Sequence, residues 1–218
     1  MPATPTSRRV RVRRAPQRAV YEREQIDAIL DEAIVCHVGF VNDGQPYVIP
    51  TLHARVADVL YLHGSTASRM VRTLATGAPC SVTATLLDGI VLARSAFHHS
   101  ANYRSVTVLG SATLVRDEDE RMSALRAFTQ QLVPGRWEHV RPPSRQEMKG
   151  TQVLALGLDE VSAKVRSGPP VDDDEDLALD VWAGELPLAL QAGEPRHDAQ
   201  QDAIAVPEHV RAWRAARR

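Results

Sequence analysis

Apolar residues recur at two different periods along this chain, and the switches between the periods mark its elements. Residues 22–33, EREQIDAILDEA, set Ile26, Ile29, Leu30 and Ala33 at helical spacing with carboxylates between them, which predicts a short amphipathic helix. The period then shortens to two. AIVCHVGFV and QPYVIPTLHARV read as strands on either side of an Asp43-Gly44 turn, and VLYLHG follows Ala57-Asp58 to complete a three-stranded meander. Helical spacing returns in STASRMVRTLA: Ser65 or Thr66 opens it, Met70, Val71 and Leu74 face the core, and it ends near Gly77. The β-branched stretch APCSVTATLLDGIVLARSAF reads as a hairpin folded at Asp88-Gly89, and YRSVTVLGSATLV as one long strand.

DEDERMSALRAFTQQLV is the clearest helix. Asp117 or Asp119 caps it, acidic residues fill its first turn, and Met122, Leu125, Phe128 and Leu132 form a stripe that reads as core packing. Ser144 and Glu147 have capping-box spacing, and TQVLALGLDEVSAKVRSG supplies the last one or two strands. Six or seven strands joined by hairpins, with helices at the start, in one crossover and near the end, predict a mainly β fold: an antiparallel barrel with peripheral helices. No GxGxxG follows a strand, so the main mark of a dinucleotide-binding parallel sheet is missing.

The organisation falls into a basic arm (1–20), a barrel domain (21–168) and an acidic loop with a C-terminal extension (169–218) that packs on the barrel or on a dimer partner. The arm holds six arginines between Arg8 and Arg18; that composition suits a solvated or dimer-wrapping tail, and it could also bind RNA. With 26 Lys and Arg against 27 Asp and Glu, the chain has no global charge to draw nucleic acid or an anionic membrane, so any affinity for anions must be local. Cys36 and Cys80 both sit in apolar runs, so they read as buried thiols in a reducing cytoplasm, and the basic start lacks the apolar core of a secretory signal.

Three stretches carry candidate chemistry. In YLHGSTASRM a strand ending at His63-Gly64 feeds a helix start where Ser65, Thr66, Ser68 and Arg69 can converge on a phosphate; the same residues also suit a plain helix cap with a surface arginine. In FHHSANYRSV, the side chains of His98, His99, Ser100, Asn102 and Arg104 must face solvent, a ligand or a partner, because each one buried without a hydrogen bond would cost about 1–3 kcal/mol. In YVIPTLHA, Pro50 gives no N–H to a ladder, so the strand lies at an edge or bulges there, freeing backbone groups for a planar ligand. His37, His53 and His63 fall on successive strands without the spacings of a zinc site, and no GxSxG elbow is present, so neither a metal site nor a hydrolytic triad is expected.

Taken in order, these segments resemble the FMN-binding split barrels of the pyridoxamine 5'-phosphate oxidase superfamily, in particular the nitroimidazole-resistance branch. The motifs HGSxxSRM and FHHSxNYRSV carry the likeness, which runs from about Tyr21 to Arg166. It implies a homodimer with FMN at the interface. Ile49, Pro50, Thr51 and Leu52 would line the flavin ring; His63, Gly64, Ser65, Ser68 and Arg69 would approach its phosphate side; His98, His99, Ser100 and Arg104 would close the site, and Trp182 would correspond to a C-terminal tryptophan brought to the flavin. His63 would serve as proton donor in an oxidoreductase acting on a small electrophilic substrate such as a nitroaromatic. Met70 stands where oxidases of the superfamily carry a lysine, and the Arg-x-His motif of the vitamin B6 oxidases is missing, which argues against B6 oxidation. The resemblance leaves room for a non-catalytic flavin carrier or sensor, for a deazaflavin, and for haem bound by His98 or His99.

Overall fold

Two antiparallel sheets account for the alternating segments. The computed structural model describes residues 3–200 and 204–216. The arm runs along the barrel: Val10 is buried, Thr6 Oγ1 donates to the Asp159 carbonyl at 2.7 Å, and Val12 N–H donates to Tyr21 Oη at 2.9 Å. It ends in β1 (Ala19–Val20). Then come α1 (Arg23–Glu32), β2 (Val35–Asn42), β3 (Gln45–Leu52), β4 (Ala54–Val56), β5 (Val59–Ser65), α2 (Arg69–Leu74), β6 (Pro79–Leu92), β7 (Ser100–Ser111) and β8 (Thr113–Leu114). The chain continues through α3 (Glu118–Leu132), α4 (Arg145–Gly150), β9 (Thr151–Gly157), β10 (Glu160–Arg166), β11 (Gly184–Pro187) and α5 (Glu208–Ala215). The larger sheet runs β1-β10-β7-β6-β2-β3 with β11 added to β6, and the smaller runs β4-β5-β9-β8. This is the expected split barrel with peripheral helices. No helix among the described residues is long and apolar enough to cross a membrane.

The β2–β3 turn is the predicted one. Asp43 and Gly44 both adopt positive φ, 51° and 76°, as a two-residue turn matched to strand twist requires. The Asp88-Gly89 hairpin is not there. β6 passes straight through these residues, and the register shifts between Leu87 and Gly89, so the pair forms a bulge and the connection to β7 comes later, across residues 93–99. Glycine suits the position for a different reason: a Cβ at Gly89 would lie 3.1 Å from the Leu186 carbonyl of β11, so the two strands would have to move apart slightly. The stretch after Tyr103 is also two strands rather than one, because the chain leaves the larger sheet at buried Ala112 and enters the smaller as β8.

The main core lies between the sheets. Leu60 and Leu62 of β5, with Leu154 and Leu156 of β9, meet Cys36 and Val38 of β2, Val82 and Ala84 of β6, and Val106 and Val108 of β7. α1 adds Ile26, Ile29 and Leu30, and α2 adds Met70, Val71 and Leu74. Burial pushes the Cys36 thiol up to about 12, so it behaves as the small hydrophobe its context suggests. A second cluster forms behind the smaller sheet, where Tyr61 and Val153 point the opposite way from Leu60 and Leu154 and pack on Ala124 and Phe128 of α3. Asp117 caps α3, its side chain accepting from Glu120 N–H at 2.7 Å, and Ser144 with Glu147 completes the capping box of α4.

Candidate functional site: a histidine cleft and a free sheet edge

His63 is the next residue after Tyr61 and Leu62 to alternate faces on β5, so it too points toward α3. Its ring meets Phe128 edge-on with centroids 4.3 Å apart. Nδ1 is buried with no hydrogen-bond partner among the described residues, and burial lowers the pKa below the ordinary histidine value. The imidazole opens on a cleft of about 490 Å³ lined mainly by Leu125, Trp137, Val140, Pro143 and Met148, with Arg141 and Glu147 paired to each other at its rim. A neutral ring in an apolar cleft keeps a nitrogen lone pair free of a proton. It is a poor proton donor at neutral pH, because the acid form is the one that burial disfavours.

β3 is the end strand of the larger sheet, paired only with β2. Pro50 faces His37 in the register and has no N–H, so this is a non-hydrogen-bonded pair, and the main-chain groups of Val48 and Leu52 and the Pro50 carbonyl look outward. Ile49 and Thr51 bond to β2. Leu52 packs on the cluster that holds Phe128, which brings the proline strand and His63 to the same region.

The turn after His63 is tighter than the spacing predicts. Ser65 and Ser68 close a turn, Ser68 N–H donating to the Ser65 carbonyl at 2.9 Å, and the helix starts at Arg69 with Ser68 as its cap, so neither Ser65 nor Thr66 opens it. A Cβ at Gly64 would stand 2.8 Å from Val71 Cγ2, so glycine lets α2 close against β5. The Arg69 guanidinium lies 4.5 Å above the Tyr47 ring of β3, a cation–π contact that ties this turn to the free edge.

The polar segment before β7 is tied inward. His98 Nε2 lies 3.0 Å from an Asp173 carboxylate oxygen, and His99 Nδ1 2.8 Å from the Ser95 carbonyl, while Ser100 opens β7 opposite Val91. Arg104 donates to both oxygens of Asp88, at 3.0 and 2.8 Å, and to Glu32, and these carboxylates hold its pKa far above the usual value. Asn102 is buried and accepts from the buried Arg166 guanidinium, while its amide donates to Glu185 at 2.5 Å. Much of the polarity of this stretch therefore fastens β7 to α1, β6, β10 and β11. Trp182 stands 69% exposed beside Gly184 and is not among the residues that line the cleft.

The family model for pyridoxamine 5'-phosphate oxidase matches residues 22–165, about two thirds of the chain. The chain belongs to the pyridoxamine 5'-phosphate oxidase family. Flavocytochrome Anf3 from Azotobacter vinelandii is 40% identical to this family member, superposes with a TM-score of 0.91, and is matched over 96% of this chain and 98% of its own. The FAD and haem binding protein from Mycobacterium smegmatis is 39% identical, with a TM-score of 0.85 over 89% of this chain and 96% of that one. A proposed 5-nitroimidazole antibiotic resistance protein from Bacteroides thetaiotaomicron, 22% identical with a TM-score of 0.57 over 67% and 86%, shares the fold. No curated protein matches the chain.

The cleft around His63 was not legible as a site. Leu125 and Phe128 fit a core stripe, and Phe128 is core, but Leu125 lines the cleft. The available signal was Trp137, a large aromatic in the loop PGRWEHVRPP, where packing alone gives no reason for one.

Proposed function

We propose that this protein is a two-cofactor oxidoreductase, carrying a flavin at the free edge of β3 and a haem against His63, and working as a homodimer in the cytoplasm. The observation that carries the reading is His63: a buried, unpartnered nitrogen on a ring kept neutral by desolvation, at the floor of an apolar cleft. Haem needs such a lone pair and such a lining. The two relatives at about 40% identity support it, one being described as a flavocytochrome and the other as binding FAD and haem. The second favours FAD over FMN as the flavin here.

When bound, the flavin supplies two-electron and the haem one-electron chemistry. The chain's own part is positional. The outward main-chain groups of Val48, Pro50 and Leu52 suit the polar rim of a flavin ring, and Ser68 and Arg69 stand beside that edge for its phosphate. Phe128 fixes the His63 ring edge-on, and Trp137 and Met148 help keep water from it. The face of the larger sheet away from the core leaves Val35, Val41, Val48 and Leu87 43–65% exposed, around paired hydroxyls of Thr83 with Thr107 and Thr85 with Ser105, which suits cover by a second copy. Reduction of a nitroaromatic rests on likeness in fold alone and on a protonated His63, so it is the weaker reading.

The test is an absorbance spectrum of the purified protein after reconstitution with haem and FAD, beside His63→Ala. Flavin bands and a Soret band are expected in the wild type, with only the Soret band lost in the variant. A Soret band unchanged in His63→Ala would refute the placement, and the mass of the released flavin separates FAD from FMN.

A further inference from the structure

Beside the His63 cleft lies a second concavity of about 280 Å³, and the two share Met148 and Thr151 in their walls. Its character is opposite. Arg116, Arg121 and Lys149 line it with Thr66 and Gln152, and no carboxylate does. Nine other arginines of the described chain are in ion pairs, including Arg141 at the cleft rim, but none of these three cations is. Arg121 is held in place: one terminal nitrogen donates to the Met148 carbonyl at 2.5 Å and to the Thr151 carbonyl at 2.8 Å, which leaves its other N–H groups to point elsewhere. Arg116 and Lys149 are exposed at the mouth, on the loop before α3 and at the end of α4. Three unpaired cations about one concavity repel each other, and an anion between them relieves that repulsion.

We propose that this concavity takes the carboxylate arms of the haem whose ring occupies the His63 cleft, with Arg116, Arg121 and Lys149 as the residues that select an anionic tetrapyrrole. The inference rests on the haem reading above. The two cavities then form one amphipathic site, apolar around the ring and cationic at one rim, joined at Met148 and Thr151. A cofactor with free carboxylates fits both halves, and the same ring with its carboxylates esterified fits only the first.

The test compares haem with its dimethyl ester, titrated by Soret absorbance into the full-length wild type, Arg116→Ala/Lys149→Ala and His63→Ala. In the wild type the diester should bind about tenfold more weakly than haem, roughly the effect of one partly desolvated charge pair. The double variant should bind haem about tenfold more weakly and no longer distinguish it from the diester; both changed residues are exposed, so the fold should be retained, and Arg116→Lys/Lys149→Arg should restore the preference. Equal binding of both ligands by the wild type, or an undiminished preference in the double variant, overturns the rim assignment while leaving the haem site standing. A wild type that gives no Soret band with either ligand overturns the haem site and this inference with it.

Discussion

Replacing Asn102 by alanine tests whether the polar segment before β7 is chiefly structural. The Asn102 side chain makes three hydrogen bonds: it accepts from Arg166, and it donates to Glu185 at 2.5 Å and to the Gly168 carbonyl at 3.3 Å. Arg166 is 7% exposed, and its other acceptors are the Gly168 and Pro169 carbonyls at 3.0 Å, so no carboxylate pairs with it directly. Two of the three bonds involve charged groups, worth about 1.5–3 kcal/mol each, and the third is worth about 1 kcal/mol, for a total of about 4–7 kcal/mol. Water entering the vacated space restores part, so the expected loss is about 3–4 kcal/mol. In a domain of this size that lowers the Tm by roughly 10 °C. Urea unfolding followed by far-UV circular dichroism measures it, with Thr76→Ala as control, since the Thr76 hydroxyl is exposed where it donates to the Thr73 carbonyl and should matter by less than about 0.5 kcal/mol. A loss under 1 kcal/mol for Asn102→Ala, with the m-value unchanged, would refute the argument.

Two further outcomes follow from the same physics. His53 is 2% exposed, its Nε2 lies 2.9 Å from the Leu30 carbonyl, and burial holds its pKa below the ordinary value, so the unfolded chain binds the extra proton; stability should be flat above about pH 6.5 and fall below it by up to about 1.4 kcal/mol per pH unit, and His53→Leu should show a shallower fall in chemical denaturation between pH 6.5 and 5. Gly89→Val should push β11 away from the Leu186 contact, seen as faster amide exchange at 184–187 with protection in β2 and β7 unchanged; slow exchange at β11 in that variant would count against the close-approach argument.

What sequence could show depended on whether a signal was local. α1, α3, the Asp43-Gly44 turn and the α4 capping box are written in short-range chemistry and stand as read. Asp88-Gly89 has the same local appearance as Asp43-Gly44. Only the distant β11, pairing with residues 89–92, decides that it is a bulge. The Pro50 strand was readable as an edge because a missing N–H excludes pairing on one side. The roles of His98 and Arg104 were not readable, since Asp173, Glu32 and Asp88 come from separate parts of the chain. The surroundings of His63 were not readable either, because the apolar cleft and the burial that lowers its pKa are assembled from α3 and residues 137–151.

β6 is 14 residues long and carries two neighbours end to end on one side: β2 along Cys80–Ala84 and, past the bulge, β11 along Gly89–Leu92. During synthesis these partners arrive at very different times. β2 emerges from the ribosome before β6, whereas β11 follows it by more than 90 residues, about 5–20 s later at ordinary elongation rates. Once β10 has emerged, the nascent chain holds a nearly finished barrel with one short, uncovered stretch of β6, and the last strand to be made is the one that covers it.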